Sequence, residues 1–393
     1  SSYRVGAHWS GRSHQRDDDA GQPDPGYRRR GWVSLPYAED HHQQVWHHRS
    51  ATQLNVNEFR SDQGEEVEVT VLKRVLIPLG ELLVWLIVAS FVVFALLSLL
   101  PGDVAQVILG ANADPKAAAT VRSRLGLDLP WPQRYWDWIS SLVRGDLGTS
   151  MVSAEPIGPQ IASRLAVTGW LVGLSLVLAL LVCLPVGAYA AVHRRKSRGF
   201  VASALSQVLM SIPAFLAGIL LILLFSVTLG WLPAGGYVPL HEDAGAWAAH
   251  LILPVLSLSI VQAAVMTRYV RSAFIDVLTD DHMQTARAVG WRLWPALHRH
   301  GLRNASISLA TVLGLQASAM LVGAIVVEEV FVIPGLGSYL LDAVSTRDLL
   351  VVSDVVMVIV AIVMAISYLT DLIVVVLDPR LRTTIRAAQE EHS

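Results

Sequence analysis

The sequence predicts an all-α integral membrane protein with six transmembrane helices. Of the 393 residues, 53% are hydrophobic and only 16% are charged, whereas a soluble domain carries about 25% charged residues. The charge is uneven, because residues 1–70 are rich in Arg, Asp, Glu and His while residues 75–380 contain long runs with almost none. Six of these runs reach the roughly 20 apolar residues that a helix needs to cross the hydrocarbon core.

The predicted spans are separated by polar segments of very different length. Prolines inside three of them, Pro185, Pro213 and Pro254, do not exclude helices, because neighbouring spans can satisfy the backbone groups that a proline leaves free. The six spans are predicted over residues 75–100, 165–192, 201–229, 250–270, 307–333 and 350–377.

Basic residues set the predicted orientation, since short loops rich in Lys and Arg stay on the cytoplasmic side. Segment 193–198 is a dense basic turn and segment 268–303 contains six arginines, whereas segment 230–249 has neither Lys nor Arg. We therefore expect a multi-pass protein of the cell (inner, cytoplasmic) membrane with both termini in the cytoplasm. The long connection over residues 101–164 is predicted to be external, and the loop over residues 271–306 to be cytoplasmic.

The polar ends are predicted to lie outside the membrane domain of residues 71–383. Residues 1–70 are expected to be a disordered cytoplasmic extension, and residues 384–393 a cytoplasmic tail. The first methionine is Met151, so we expect truncation, processing or a non-methionine start ahead of the first span. A shorter product that begins at Val69 or Val71 is a further hypothesis.

Several functional classes find no support in the sequence. The net charge of −2 gives no basic field for nucleic acid. The single cysteine, Cys183, lies in an apolar run and is predicted to be a small buried hydrophobe. The histidines of the first fifty residues lack the cysteine or carboxylate spacing of a metal site. His241 and Glu242 lack the second histidine of a zinc protease, and no phosphate-binding loop is present, so neither catalysis nor ATP binding by this chain is predicted.

The loop between the fourth and fifth spans is far longer than a turn requires. Phe274, Val277 and Leu278 are spaced for one face of a helix. Farther on, Ala286, Ala288 and Gly290 are small residues that allow another backbone to approach closely and a helix to end. This pattern predicts a short helix that fits into a groove on a cytoplasmic partner.

This loop resembles the EAA signature of ABC importer permeases, in the dipeptide/oligopeptide/nickel branch. The resemblance covers about residues 70–383, and its motifs occur in order. Gln284 stands where the general signature has Glu, Asn304 and Ala305 replace its closing Leu-Pro, and Val104 stands where the branch often has Pro. The matching segments are 285–290 (TARAVG) and 300–305 (HGLRNA) in the loop, and 100–103, 125–128, 144–148, 211–215, 230–236, 327–328, 331, 334–337 and 377–380 elsewhere.

The resemblance implies a type I ABC importer permease (MetI-like) fold. It implies a permease subunit that forms the translocation path for peptides or similar small solutes, delivered by an external substrate-binding (lipo)protein. The expected partners are a second homologous permease and two ATPase subunits or domains, which bind ATP and Mg. The residues that it assigns to ATPase coupling are Gln284, Thr285, Ala286, Ala288, Gly290, Trp291, Arg303 and Asn304.

Carboxylates within spans are expensive in lipid and mark interior or functional positions. Glu328 and Glu329 near the outer end of the fifth span are candidates for the translocation path or for pairing with the second permease. The alternative is that one of them bonds backbone groups or reaches the interface. The rival function is an ion-coupled secondary transporter, which would need an ion-coupling carboxylate near mid-membrane and usually internal repeats; the sequence shows neither clearly.

An aromatic cluster in the external connection has two interpretations. Trp131, Tyr135, Trp136 and Trp138 are typical of an anchor at the membrane interface. The other interpretation is a docking surface for an external partner.

Overall fold

The computed structural model describes residues 76–99, 109, 114–291 except 125 and 127, 295, and 302–377. Within this part of the chain every regular element is a helix, apart from one isolated bridge between Thr149 and Pro156. The helices are α1 (Leu76–Ser98), α2 (Pro115–Arg124), α3 (Trp131–Val143), α4 (Ile157–Val192), α5 (Ser197–Met210), α6 (Ala214–Leu221, continued by π-helix Ile222–Thr228), α7 (Ala244–Thr279), α8 (Asp281–Ala288), α9 (Leu302–Val330), α10 (Leu336–Ser345) and α11 (Leu349–Leu377).

The all-α prediction is confirmed, but an exact count of six straight spans is not. Five described helices are long and apolar enough to cross a membrane: α1, α4, α7, α11 and the Ser308–Val330 part of α9. The predicted third span is instead a pair, α5 and α6 with its π-helical continuation, bent by 95°. Pro213 precedes α6 in an extended conformation, and a proline disfavours helix at the residue before it. Pro185 and Pro254 lie inside their helices, as predicted.

The terminal segments predicted over residues 1–70 and 384–393 lie outside the described residues. Inside the described part, α4 and α7 are the longest helices, with 36 residues each. That length corresponds to about 54 Å, against about 30 Å for the hydrocarbon core of a bilayer. Asp243 caps the N-terminal end of α7 by accepting the amides of Gly245 (2.8 Å) and Ala246 (3.0 Å). Each of these two helices is therefore longer than the membrane core is thick.

Helices α4 and α7 form the most extensive packed pair of the bundle. Small residues dominate on the α4 side, where Ala179, Cys183 and Ala191 are fully buried. Against them pack Met266 and Val270 of α7, each 1% exposed. Small side chains let two helix backbones approach closely, which is how membrane helices associate without a hydrophobic driving force. The burial of Cys183 confirms its prediction as a small buried hydrophobe.

Replacement of Gly187 by alanine is expected to destabilise this pair by about 1–3 kcal/mol, the typical cost of overpacking. A Cβ at Gly187 would lie 2.5 Å from Cγ1 of Val270 and 3.1 Å from the carbonyl oxygen of Thr267. Gly173→Ala is the matched control, because that glycine lies in the same helix with open space around it; it should gain about 0.5–1 kcal/mol of helix stability. Thermal unfolding in detergent measures both, and equal midpoints would contradict the close approach.

The described part of the connection between α1 and α4 packs onto the C-terminal half of α1 and the N-terminal part of α11. In α3, Tyr135 and Trp138 contact Phe94 with ring centroids 5.4 and 5.7 Å apart. The hydroxyls of Tyr135 and Ser90 lie 2.9 Å apart. These two members of the aromatic cluster are thus inward packing residues. Trp131 and Trp136 remain 55% and 69% exposed, so the interface anchor and the docking surface stay open for them.

Asp348 joins the same connection to the start of α11. Its carboxylate accepts the hydroxyl of Ser150 at 2.5 Å and the amide of Val152 at 3.4 Å, and it also accepts the amide of Val351 in the first turn of α11. Asp348 is 3% exposed. One buried carboxylate therefore holds the turn before α4 and caps the last span.

Candidate coupling segment and outer carboxylate

One non-helical residue separates α7 from α8. Asp280 has φ −67° and ψ 144°, which is extended rather than helical, and its carbonyl oxygen accepts the amide of Met283 at 3.1 Å. Asp281 then begins α8 and places a carboxylate in the first turn, where the helix dipole favours negative charge. The result is an eight-residue helix at the C-terminal end of the long helix α7.

Met283 anchors this short helix to the bundle. It is 2% exposed and belongs to the same buried cluster as Phe274 and Val277 of α7 and Leu309 of α9. A buried methionine adapts to irregular gaps and stabilises by about 1.5–3 kcal/mol when fully removed from water. Through Met283, α8 thus joins a buried cluster to which both α7 and α9 contribute.

The opposite side of α8 is open. Thr285, Ala288, Val289 and Gly290 are exposed, Val289 to 75% and Trp291 to 42%. The Thr285 hydroxyl donates to the carbonyl of Asp281 at 2.9 Å, and the amide of Val289 donates to the carbonyl of Thr285 at 3.0 Å. These bonds tie the polar groups of the last turn to the helix itself and leave a surface of small and apolar side chains.

Gly290 ends the helix in the left-handed region, at φ +96°. Glycine is the usual residue there because a Cβ is strained at positive φ. Four of the predicted coupling residues, Thr285, Ala288, Gly290 and Trp291, thus form one exposed stretch, in which small residues leave room for a partner. Gln284 and Ala286 belong to α8, and Arg303 and Asn304 to the first turn of α9, but their side chains lie outside the described residues.

The second predicted site is the C-terminal end of α9, and here the two glutamates differ sharply. Glu328 is 0% exposed whereas Glu329 is exposed. Oε2 of Glu328 accepts the amides of Gly337 at 2.8 Å and Ser338 at 3.3 Å. Oε1 accepts the hydroxyl of Thr168 on α4 at 2.5 Å. Glu328 therefore bonds backbone groups, the alternative left open by the sequence.

These bonds make Glu328 the cap of α10, supplied by another helix. The free amides in the first turn of a helix need acceptors, and Glu328 provides them for the second and third residues. Thr168 accepts the amide of the first, Leu336, at 2.9 Å. A side chain at Gly335 or Gly337 would collide with the Glu328 carboxylate, which explains why the motif at 334–337 reads Pro-Gly-Leu-Gly.

A second contact holds α10 against α4. The guanidinium of Arg164 lies 4.4 Å from the centre of the Tyr339 ring, a distance at which a cation–π attraction operates. Burial raises the pKa of the Tyr339 phenol, and the nearby Arg164 opposes that rise. The phenol therefore stays neutral at physiological pH, and α10 is fixed by one carboxylate and one arginine.

Comparison with known families decides what this membrane protein is. The family described as binding-protein-dependent transport system inner membrane component matches residues 183–383. The N-terminal part of such membrane components matches residues 71–173. The chain belongs to this family. The chain is accordingly the permease of an ABC importer, a non-enzymatic subunit that crosses the membrane several times.

The alignments of this chain with its relatives cover nearly the whole length of each relative. Over 313 residues this inner membrane component is 42% identical to the glutathione transport system permease protein GsiC of Salmonella choleraesuis (strain SC-B67), with 79% of this chain and 98% of the relative aligned. The protein of the same name from Escherichia coli (strain K12) is 41% identical over the same share. An inward-facing structure of the MetNI methionine ABC transporter (SeMet soak crystal form) matches 56% of this chain and 96% of its own, at 18% identity and a TM-score of 0.48.

The inner membrane component also holds polar pairs that sequence reasoning missed. Thr168 gives no sign in the sequence of its bond to Glu328, 160 residues away. The side-chain amide of Gln316 on α9 donates to Oε1 of Gln262 on α7 at 2.7 Å. The only sign of this pair in the sequence is that each glutamine stands among apolar residues. Trp138 donates to Asp354 at 2.8 Å, and nothing in the sequence connects these two residues.

Proposed function

We propose that this permease has the type I fold of the dipeptide/oligopeptide/nickel branch and carries peptides or similar small solutes. The relatives are named for glutathione, itself a small peptide. The observation that carries the proposal is the anchored segment α8, with Met283 buried in the bundle and Thr285, Ala288 and Gly290 exposed. A segment that is fixed on one side and open on the other can pass force from a partner to the spans.

In the proposed mechanism the energy comes from two ATPase subunits or domains, which bind ATP and Mg in their own sites. Each ATPase receives one α8, either from this chain or from a second homologous permease. ATP-driven closure moves the two α8 helices, and the spans change as rigid bodies between inward-open and outward-open states. An external substrate-binding (lipo)protein delivers the solute. Helix α7 suits this role because it runs unbroken from its Asp243 cap to α8.

The rival function, an ion-coupled transporter, needs a carboxylate free to bind the ion within the membrane. Glu328 is engaged by two amides and a hydroxyl, which leaves it poorly suited to that task.

Uptake of a labelled dipeptide by cells that carry the full transporter separates the two functions. Vanadate should abolish uptake while a protonophore, at constant ATP, leaves it unchanged. The opposite sensitivity would overturn ATP drive in favour of ion coupling. Cells that lack the gene for this chain supply the background rate.

Cysteine labelling tests the orientation of both proposed faces. The only native cysteine, Cys183, is fully buried and is replaced by alanine in the background. Glu242→Cys lies in the segment proposed to be external and Ala288→Cys on α8, and both positions are exposed. A membrane-impermeant maleimide should label the first in intact cells and the second only after permeabilisation. Labelling of Ala288→Cys in intact cells would refute the cytoplasmic position of α8.

A further inference from the structure

A cavity of about 330 Å³ opens at the outer end of the bundle, away from α8 and from Glu328. Its walls come from the last turns of α1, from α3, from the turn over residues 146–151 and from the first turns of α11. Its volume falls at the small end of the range for ligand pockets, about 300–1,000 Å³. Nothing in the coupling mechanism uses it.

One wall of this cavity is Asp354, which is 1% exposed. Its Oδ1 accepts the indole N–H of Trp138 at 2.8 Å. Its Oδ2 is buried and has no hydrogen-bond partner. A buried carboxylate oxygen without a donor is costly, and most such atoms in proteins are satisfied. Since Asp354 lines the cavity, a donor that binds there and displaces the groups that cover this oxygen would supply the missing bond.

The remaining walls favour a positive donor. Asp137 and Asp146 also line the cavity, against Arg134 as the one basic residue among the described lining residues. With Asp354 that makes three carboxylates and one guanidinium. Phe94 and Trp138 also line the cavity. Their rings stack with centroids 5.7 Å apart, and the Arg134 guanidinium lies 5.9 Å from the centre of the Phe94 ring. The two rings therefore contribute an apolar wall against which an alkyl stem can pack.

The chemistry of the walls favours an organic cation over a metal ion. Among the residues that the structure describes, no group of three or more acidic, His or Cys side chains is placed to hold a metal. One carboxylate oxygen together with an aromatic wall is instead the environment of an ammonium group, which brings N–H donors and an apolar stem. We propose that this outer cavity binds a small primary ammonium, which donates to Oδ2 of Asp354 and rests against Phe94 and Trp138.

The test uses the full chain in nanodiscs of neutral lipid, titrated with n-butylammonium by calorimetry, with empty nanodiscs as the blank. n-Butanol has the same shape without charge and should not bind. Asp354→Asn should weaken n-butylammonium binding by about tenfold to a hundredfold, as expected for a lost hydrogen bond to a charged group. Asp371→Asn is the matched control, an exposed aspartate on the same helix, and should change the affinity less than about twofold.

Asp137→Asn is a second variant, and it should fold normally because Asp137 is exposed at the cavity rim. It should weaken binding by about twofold to fivefold through lost long-range attraction. Dialanine as a further titrant distinguishes two sources of the amine. Binding as tight as that of n-butylammonium identifies the amino end of a peptide, and its absence identifies a free external amine. Equal n-butylammonium affinity in Asp354→Asn and the parent, or no binding up to about 10 mM, would overturn the proposal.

Discussion

Gly290→Pro is expected to abolish peptide uptake while the protein still inserts in the membrane. Gly290 has φ +96°, and proline is locked near about −65°, so the end of α8 cannot form. The site itself is open, with nothing within 4 Å of an added Cβ, so the effect is on the backbone and not on packing. Uptake should fall to the rate of cells without the transporter, and the ATPase should no longer co-purify.

Two further variants separate backbone strain from general damage. In Gly290→Ala, the alanine can adopt the positive φ at a cost of about 1–2 kcal/mol. This variant should retain part of the uptake. Gly230→Pro meets the same conflict, because Gly230 also has a positive φ (+65°) and open space, but it lies in the segment proposed to be external. It should leave ATPase co-purification intact. Normal association of the ATPase with Gly290→Pro would refute α8 as its docking element.

Glu328→Ala is expected to produce the largest loss of stability in this chain. It removes the acceptor of two amides and one hydroxyl at a fully buried position and leaves those donors without partners. The free energy of unfolding should fall by about 3 kcal/mol or more, since hydrogen bonds to charged groups contribute about 1.5–3 kcal/mol each. Thermal unfolding in detergent measures the loss, and proteolysis should cut first near α10.

Glu329→Ala is the matched control on the neighbouring residue. Glu329 is exposed, so its removal should change stability by less than about 0.5 kcal/mol. If Glu329→Ala nevertheless lowers uptake, the predicted role of this residue in the translocation path or in pairing with the second permease gains support. Similar melting temperatures for Glu328→Ala and Glu329→Ala would contradict the cap on α10.

The spans could be predicted because lipid imposes a simple rule on sequence. A backbone in hydrocarbon must satisfy its own hydrogen bonds, so a long apolar run becomes a helix. That rule located α1, α9 and α11 to within about five residues at each end, whereas α4 begins before its predicted span and α7 extends beyond its predicted span at both ends. It did not foresee the bend in the third span, because it counts apolar residues and ignores direction, and the two helices on either side of the turn before Pro213 are bent by 95°.

The short helix of the candidate coupling segment was predictable for a related reason. Its signal is local, a run of small residues closed by Gly290, and the left-handed φ of that glycine is what a helix end requires. The anchor Met283 was not singled out, because burial at one position of a polar loop depends on Phe274, Val277 and Leu309. Two of these lie on α7 and the third on α9, and the sequence does not say that they meet.

By itself the sequence determined the helical class, the position of the spans, the family resemblance and the candidate coupling residues. These follow from hydrophobicity, charge and short-range spacing, which are properties of neighbouring residues. Only the tertiary structure decided that Glu328 caps α10, that Asp348 holds the turn before α4 and that Oδ2 of Asp354 is buried without a donor beside a cavity. Each of these three contacts depends on residues far apart in the chain. A carboxylate in an apolar run gives the same sequence pattern whether its partner is a backbone amide, a solute or nothing.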